Sequence, residues 1–224
     1  SLDRRQRQMC IRDSSCCYTH SCCACINYET TFYYSKTLTV SFKRTLIMSK
    51  SVYILSALRS AIGGYGGALK DISPIDLGIR IATEAIKQSG LNPSQIGHAV
   101  YGHVIHTEPR DMYSPRCIAL GAGLLETSPA FQVNRLCGSG LQAVVSACQL
   151  IELGDTNAAL AGGVEVMSRA GYLLQNHRFG ARMGDEQIKD MMMGALHDPF
   201  SSIHMGITAE NIANEYNISR EQMD

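Results

Sequence analysis

The chain has 224 residues, with 20 Lys and Arg against 20 Asp and Glu, 45% hydrophobic residues, nine Cys and no Trp. That is length enough to bury the core of one or two domains. A formal net charge of zero argues against a nucleic-acid or polybasic membrane binder, and no stretch approaches the roughly 18–20 uninterrupted apolar residues of a membrane helix.

These averages hide a boundary near Met48. Residues 1–48 hold none of the Gly and none of the Pro, yet they carry Cys10, Cys16, Cys17, Cys22, Cys23 and Cys25. Seven basic against three acidic residues give this leader +4, and residues 49–224 carry thirteen against seventeen, or −4. The leader is a zinc or disulfide module, a mitochondrial transit peptide, or a stretch that is not native protein. The first lacks the CxxC pairs that let two thiolates share one tetrahedral metal. The second would be amphipathic and poor in Cys. The third fits the start at Ser1, the missing periodicity and the opening SLDRRQRQMCIRDS, which resembles a translated sequencing adapter. It is the favoured reading, with Met48 as the expected true start.

From Ser51 the texture is that of an α/β protein. Val52–Leu55 predicts a strand, and the glycine-rich run from Arg59 to Gly67 a loop. Ser73-Pro74 opens a helix with Leu77, Ile81, Ala85 and Ile86 on one face and Gly90 past its end. Pro93-Ser94 starts a turn, Ala99–Gly102 a second strand, and Pro115 to about Leu124 a helix. Ala130–Val133 is a third strand, Gly138 to Leu153 a helix, and Ala158–Ala161 a fourth strand ended by Gly162-Gly163. Strands alternating with helices imply a mostly parallel sheet between helical layers. From Arg169 to His204 a Met-, Arg- and Gly-rich excursion leaves the core, and Ile207–Tyr216 returns to helical spacing.

The stretch richest in chemistry is Val133-Asn-Arg-Leu-Cys137-Gly138-Ser-Gly140-Leu141. A strand delivers Cys137 through a tight bend to the start of a helix, where unpaired N–H groups and the positive end of the helix dipole favour a thiolate. Gly138 and Gly140 are expected to let another segment or a substrate approach. Leu141, Val144, Val145, Cys148 and Ile151 are expected to bury the helix and hold the cysteine rigid. Cys117 and Cys148 read as small buried hydrophobes, the ordinary state of a cysteine.

NRLCGSGLQA, with Cys137 at its centre, resembles the nucleophile motif of the thiolases, the family of acetyl-CoA acetyltransferases and 3-ketoacyl-CoA thiolases. Three further segments resemble family motifs in order: Arg59–Asp71, Gly162–Arg169 (GGVEVMSR) and His204–Asn211 (HMGITAEN). The wording of Val104–Tyr113, His177–Asp185 and Ala195–Phe200 looks closest to bacterial β-ketothiolases. The resemblance implies a thiolase-like sandwich of helices and a mixed, mostly parallel sheet, the N-terminal half of a five-layer αβαβα fold. Residues 49–168 would be its core domain and 169–224 the start of its loop domain. It implies an acyltransferase that condenses two acetyl-CoA or thiolyses short 3-ketoacyl-CoA, with Cys137 as nucleophile. The Cys137 N–H would serve the oxyanion hole. His204 and Met205 would lie beside the thioester end of CoA, and Leu196 would line the acyl or pantetheine pocket. Glu165 and Ser168 read as structural, and Met191–Met193 as either an interface or a locally buried run.

No cofactor and no metal are expected, only a coenzyme A thioester as substrate. A cytoplasmic homo-oligomer, tetramer or dimer, is implied for the full-length protein, with neither nucleic acid nor membrane as partner. The family's later segments, carrying its base His, second Cys and Asn, do not occur in the sequence, so the chain alone is expected to be inactive. The alternative is a non-catalytic thiolase-fold protein that binds CoA or acyl groups.

Overall fold

A computed structural model describes residues 51–180 and 182–224; the leader assigned to residues 1–48 lies outside the described residues. Strands β1 (His98–Gly102), β2 (Ala130–Val133) and β3 (Ala159–Gly163) form a parallel sheet in the order β2-β1-β3. Ala99 pairs with Ala130 on one side and Leu160 on the other. The central strand is buried from Ala99 to Gly102 because both of its faces are covered. Parallel neighbours need long crossovers, supplied by α2 (Ser114–Gly121) between β1 and β2 and by α3 (Ser139–Leu153) between β2 and β3.

Side chains alternate across the pleat, and the core divides accordingly. Ala99, Tyr101 and Leu160 face α2 and the preceding helix α1 (Pro74–Ser89), where Ile75, Ala82, Ile86 and Ile118 are buried. Val100 faces Ala143 and Ala147 of α3. The α/β class with a mostly parallel sheet is therefore as the sequence predicts.

Helix α1 begins where Ser73 Oγ accepts the Asp76 N–H at 3.1 Å and ends at Gly90, whose φ of 75° closes the last turn. Its buried face is Ile75, Gly78, Ala82 and Ile86. Of the expected stripe, Ile86 is buried and Leu77 packs against the core, while Ile81 and Ala85 are only half-buried; all four border a cavity of about 930 Å³. The far wall of that cavity is the extended segment Ser51–Ser60. Val52–Leu55 is thus not a strand. Both edges of β1 are taken by β2 and β3, and the cavity separates the segment from the free edge of β3. Without a ladder to join, Tyr53, Ile54 and Leu55 stay exposed.

Two further expectations are corrected. Gly162 and Gly163 continue β3 instead of ending it. A Cβ on Gly162 would stand 2.7 Å from the Tyr101 ring, so the strand survives there because the residue has none. In α3 the buried residues are Ser139, Ala143 and Ala147. The close approach of β1 admits only small side chains, leaving Leu141 73% exposed and Val144, Cys148 and Ile151 along the cavity. Leu136–Leu153 is apolar enough, by length and composition, to cross a membrane. The helix itself has 15 residues, or about 22 Å at 1.5 Å per residue, against a hydrocarbon core of about 30 Å.

Beyond Arg169 a short antiparallel pair, β4 (Tyr172–Leu174) and β5 (Ile188–Asp190), leads into α4 (Met191–Leu196), α5 (Met205–Glu215) and α6 (Arg220–Met223). Met191 and Met193 are exposed and Met192 is half-buried, so local burial does not account for the methionine run.

Candidate active site at the C-terminal edge of the sheet

All three parallel strands end at one edge, and Cys137 lies in the turn that joins β2 to α3 there. Asn134 Oδ1 accepts the Leu136 N–H at 3.1 Å, the side-chain mimic of a turn that Asn favours. Leu136 then adopts φ 47°, a left-handed conformation costing a non-glycine residue about 1–2 kcal/mol. Ser139 holds it. Its Oγ accepts the Arg135 N–H at 2.8 Å and donates to the Leu136 carbonyl at 2.6 Å. The N–H groups of Gly138 and Ser139 reach Arg135 O and Leu136 O at 3.1 and 3.0 Å. Such strain persists only where surrounding bonds over-determine the geometry. Cys137, next to the strained residue, is a free thiol and exposed, whereas Cys117 and Cys148 are half-buried.

Among the described residues no chain segment makes the close approach at Gly138 or Gly140; the tight contact between segments is at a different glycine. A Cβ on Gly140 would meet open space, and one on Gly138 only ordinary contact with Arg135. One on Gly102, the last residue of β1, would come within 2.7 Å of Ser139 and 2.9 Å of the Gly140 nitrogen. The nucleophile turn therefore rests directly on the end of the central strand.

A buried polar cluster continues from that point. His103, fully buried, places Nδ1 3.1 Å from Ser114 Oγ, and Nε2 3.7 Å from Glu165 Oε1 and 4.0 Å from Asp111 Oδ2. Glu165 accepts the N–H groups of Val104 and Ile105, each at 3.0 Å. Asp111 Oδ2 accepts from Thr107 N, Thr107 Oγ1 and Glu108 N. Burial pushes the His103 imidazole below its ordinary value, against the raising field of Asp111, and pushes the Glu165 carboxyl up. Glu165 thus ties the exit of β3 to the exit of β1, as a structural residue. Ser168 Oγ accepts the Gly66 N–H at 2.9 Å and anchors the glycine-rich loop. His103 and Asp111 carry no periodicity or motif that marks them in sequence; only the fold brings them to Glu165.

Residues 52–224 match the family model described as thiolase, N-terminal domain. The chain belongs to the thiolase family. It is 55% identical over 177 residues to β-ketothiolase BktB of Cupriavidus necator, covering 79% of this chain and 45% of that protein. It is 44% identical over 174 residues to a probable acetyl-CoA acyltransferase of Staphylococcus aureus, covering 77% and 44%. The acetyl-CoA acetyltransferase of Bacillus anthracis superposes with a TM-score of 0.70 at 40% identity, over 75% of this chain and 42% of that one. Human mitochondrial 3-ketoacyl-CoA thiolase, in complex with CoA, does so with 0.72 at 36% identity, over 76% and 43%. The chain thus spans under half the length of these relatives.

In this thiolase chain the remaining expected site residues form one group. Leu196 closes α4, and an isolated bridge pairs His197 with His204, whose rings meet edge-on at 5.2 Å. His204 caps α5, its Nδ1 accepting the Gly206 N–H at 3.0 Å, and Met205 is the first residue of that helix. Leu196, His204 and Met205 are thereby brought together, and no hydrogen bond joins them to Cys137 among the described residues. Among the described residues no group of three His, Cys, Asp or Glu is placed to hold a metal ion.

Proposed function

We propose that this chain is the nucleophile-bearing part of a thiolase-type acyltransferase that condenses two acetyl-CoA to acetoacetyl-CoA or thiolyses short 3-ketoacyl-CoA. The observation that carries the reading is the exposed Cys137, held beside a strained residue at the start of a rigid helix. In the condensing direction the Cys137 thiolate attacks an acyl-CoA carbonyl. A C–S bond forms to the enzyme and the CoA thiolate leaves. Removal of a proton from the α-carbon of a second acetyl-CoA gives a carbanion that attacks the acyl-enzyme. The new C–C bond releases Cys137 as a thiolate, and thiolysis is the reverse. The Cys137 N–H serves as one oxyanion donor, and Leu196, His204 and Met205 contact the acyl and CoA portions. No metal or cofactor takes part, and the full-length assembly is a cytoplasmic homo-oligomer.

A nucleophile of this kind needs a base within hydrogen-bond reach, about 2.6–3.2 Å. Of the acid–base groups gathered at this edge, His103 bonds Ser114, and Asp111 and Glu165 accept from loop N–H groups instead. The 224-residue chain is therefore inactive by itself. Mixing it with the C-terminal half of a β-ketothiolase tests the reading. Thiolysis of acetoacetyl-CoA appears in the mixture, is absent from either part alone, and is abolished by Cys137→Ser. Activity that survives the substitution, or activity of the chain alone at a full-length rate, overturns it.

A further inference from the structure

The buried cluster behind the nucleophile turn has a hydrogen-bond logic that fixes where its protons lie. Gln132 donates through Nε2 to the His103 carbonyl at 3.2 Å, and the same nitrogen stands 2.6 Å from His106 Nε2. The carbonyl cannot donate, so it sets the orientation of the amide and turns Oε1 toward Ser114. Ser114 gives its hydroxyl proton to that oxygen at 2.8 Å. The Ser114 oxygen then has only lone pairs left for His103 Nδ1 at 3.1 Å, and a hydroxyl oxygen so committed accepts. Nδ1 must carry the ring proton.

In a neutral ring with that tautomer, Nε2 is a bare lone pair. It faces Glu165 Oε1 at 3.7 Å and Asp111 Oδ2 at 4.0 Å, is fully buried, and has no hydrogen-bond partner among the described residues. A lone pair on a fully buried ring, set against the buried Asp111 carboxylate and the partly exposed Glu165 one, is an unfavourable arrangement. A single proton resolves it.

We propose that the His103–Glu165 pair retains one proton in the folded protein, carried by one residue or the other, so that their attraction latches the exit of β1 to the exit of β3 beside the Cys137 turn. The two limiting forms, imidazolium with carboxylate and imidazole with carboxylic acid, titrate as one pair. Burial lowers the imidazole and raises the carboxyl, which favours the second form. The other titratable or charged groups facing the pair are Asp111 from the one-turn helix Pro109–Tyr113 and His106, whose ring lies 5.0 Å from that of His103. From α2 and β2 come only neutral Ser114 and Gln132. Glu108, whose N–H bonds Asp111, is paired with Arg169 at 3.3 Å. The unfolded chain has no such pair, so it releases this proton once pH passes the ordinary imidazole range. His103 follows Gly102, on which Ser139 rests, and so acts as a positioning residue for the turn. That last step alone depends on reading Cys137 as the nucleophile.

The test compares the 224-residue chain with Glu165→Gln, whose neutral amide can neither carry the proton nor hold it on the imidazole by its charge. Urea unfolding across pH 6–9 is expected to show the wild-type folding constant falling with a component of up to tenfold per pH unit, the slope of one retained proton. In Glu165→Gln that component is lost. Nitrogen-15 NMR of the wild-type histidines reports independently of any variant's folding. The His103 ring is expected in its Nδ1–H form, its Nε2 signal shifted from that of a free lone pair. Parallel stability profiles, or a His103 ring in the Nε2–H form, overturn the latch. Iodoacetamide labelling of Cys137 adds the positioning readout: a second step in its pH profile, twofold or larger, present in wild type and absent in Glu165→Gln. Loss of that step with the NMR signature intact leaves the proton pair standing and overturns only its link to Cys137.

Discussion

The α-carbon of Gly102 lies so close to Ser139 that a Cβ there would stand 2.7 Å from the Ser139 carbonyl carbon. The obstacle is backbone, which cannot rotate aside, so Gly102→Ala must displace the first turn of α3 or the end of β1. It is expected to cost about 1–3 kcal/mol, read as a lower urea midpoint. Iodoacetamide labelling of Cys137 changes with it, because the turn moves.

Ser139 is the staple of the nucleophile turn, accepting from Arg135 and donating to Leu136. Ser139→Ala leaves the Arg135 N–H without that acceptor, an expected loss of about 1–3 kcal/mol. Leu136→Gly is expected to move the other way, relieving up to about 1 kcal/mol of left-handed strain. Thermal melts of the two variants, shifted in opposite directions, check the pair of expectations.

Among the three cysteines of the described residues, Cys137 is exposed and Cys117 and Cys148 are half-buried. Peptide mapping after brief iodoacetamide treatment should find Cys137 carboxamidomethylated first. Equal labelling of all three would mean that exposure at the turn confers no advantage.

Asp198 orders the turn before α5. Its carboxylate accepts the N–H groups of Phe200 and Ser201 at 3.3 and 3.0 Å, together with the Ser201 hydroxyl, which gives the largest effect in holding it below the ordinary carboxylate value. A lowered carboxyl contributes above its unfolded value, and the contribution fades as pH falls through the lowered one. Amide exchange at Phe200 and Ser201 is therefore expected to lose protection only in strong acid. Asp198→Asn shows less protection at neutral pH and no acid step.

The helix starts and stops were legible because they depend on neighbours in sequence: Ser73 and Pro74 open α1, and Gly90 closes it. Which faces those helices bury was not. Of the expected α1 stripe, Ile86 and Leu77 meet the core but Ile81 and Ala85 border a cavity, and the larger side chains of α3 yield the interior to Ala143 and Ala147. A helix reading gives the period of a pattern. The phase depends on how near a neighbouring element comes, and Gly78, Gly102 and Gly121 set those approaches from other parts of the chain.

The sequence by itself determined the family, the alternation of strand and helix, and the placing of Cys137 where a strand meets a helix. Each rests on short-range spacing and residue type. Only the tertiary structure decided that Val52–Leu55 has no ladder to join, that Gly102 seats the nucleophile turn, and that His103 meets Asp111 and Glu165. Those relationships join residues up to 62 positions apart, and parallel pairing creates them by bringing three strand ends to one edge. Burial then sets the electrostatics of His103 and Glu165, lowering the imidazole and raising the carboxyl.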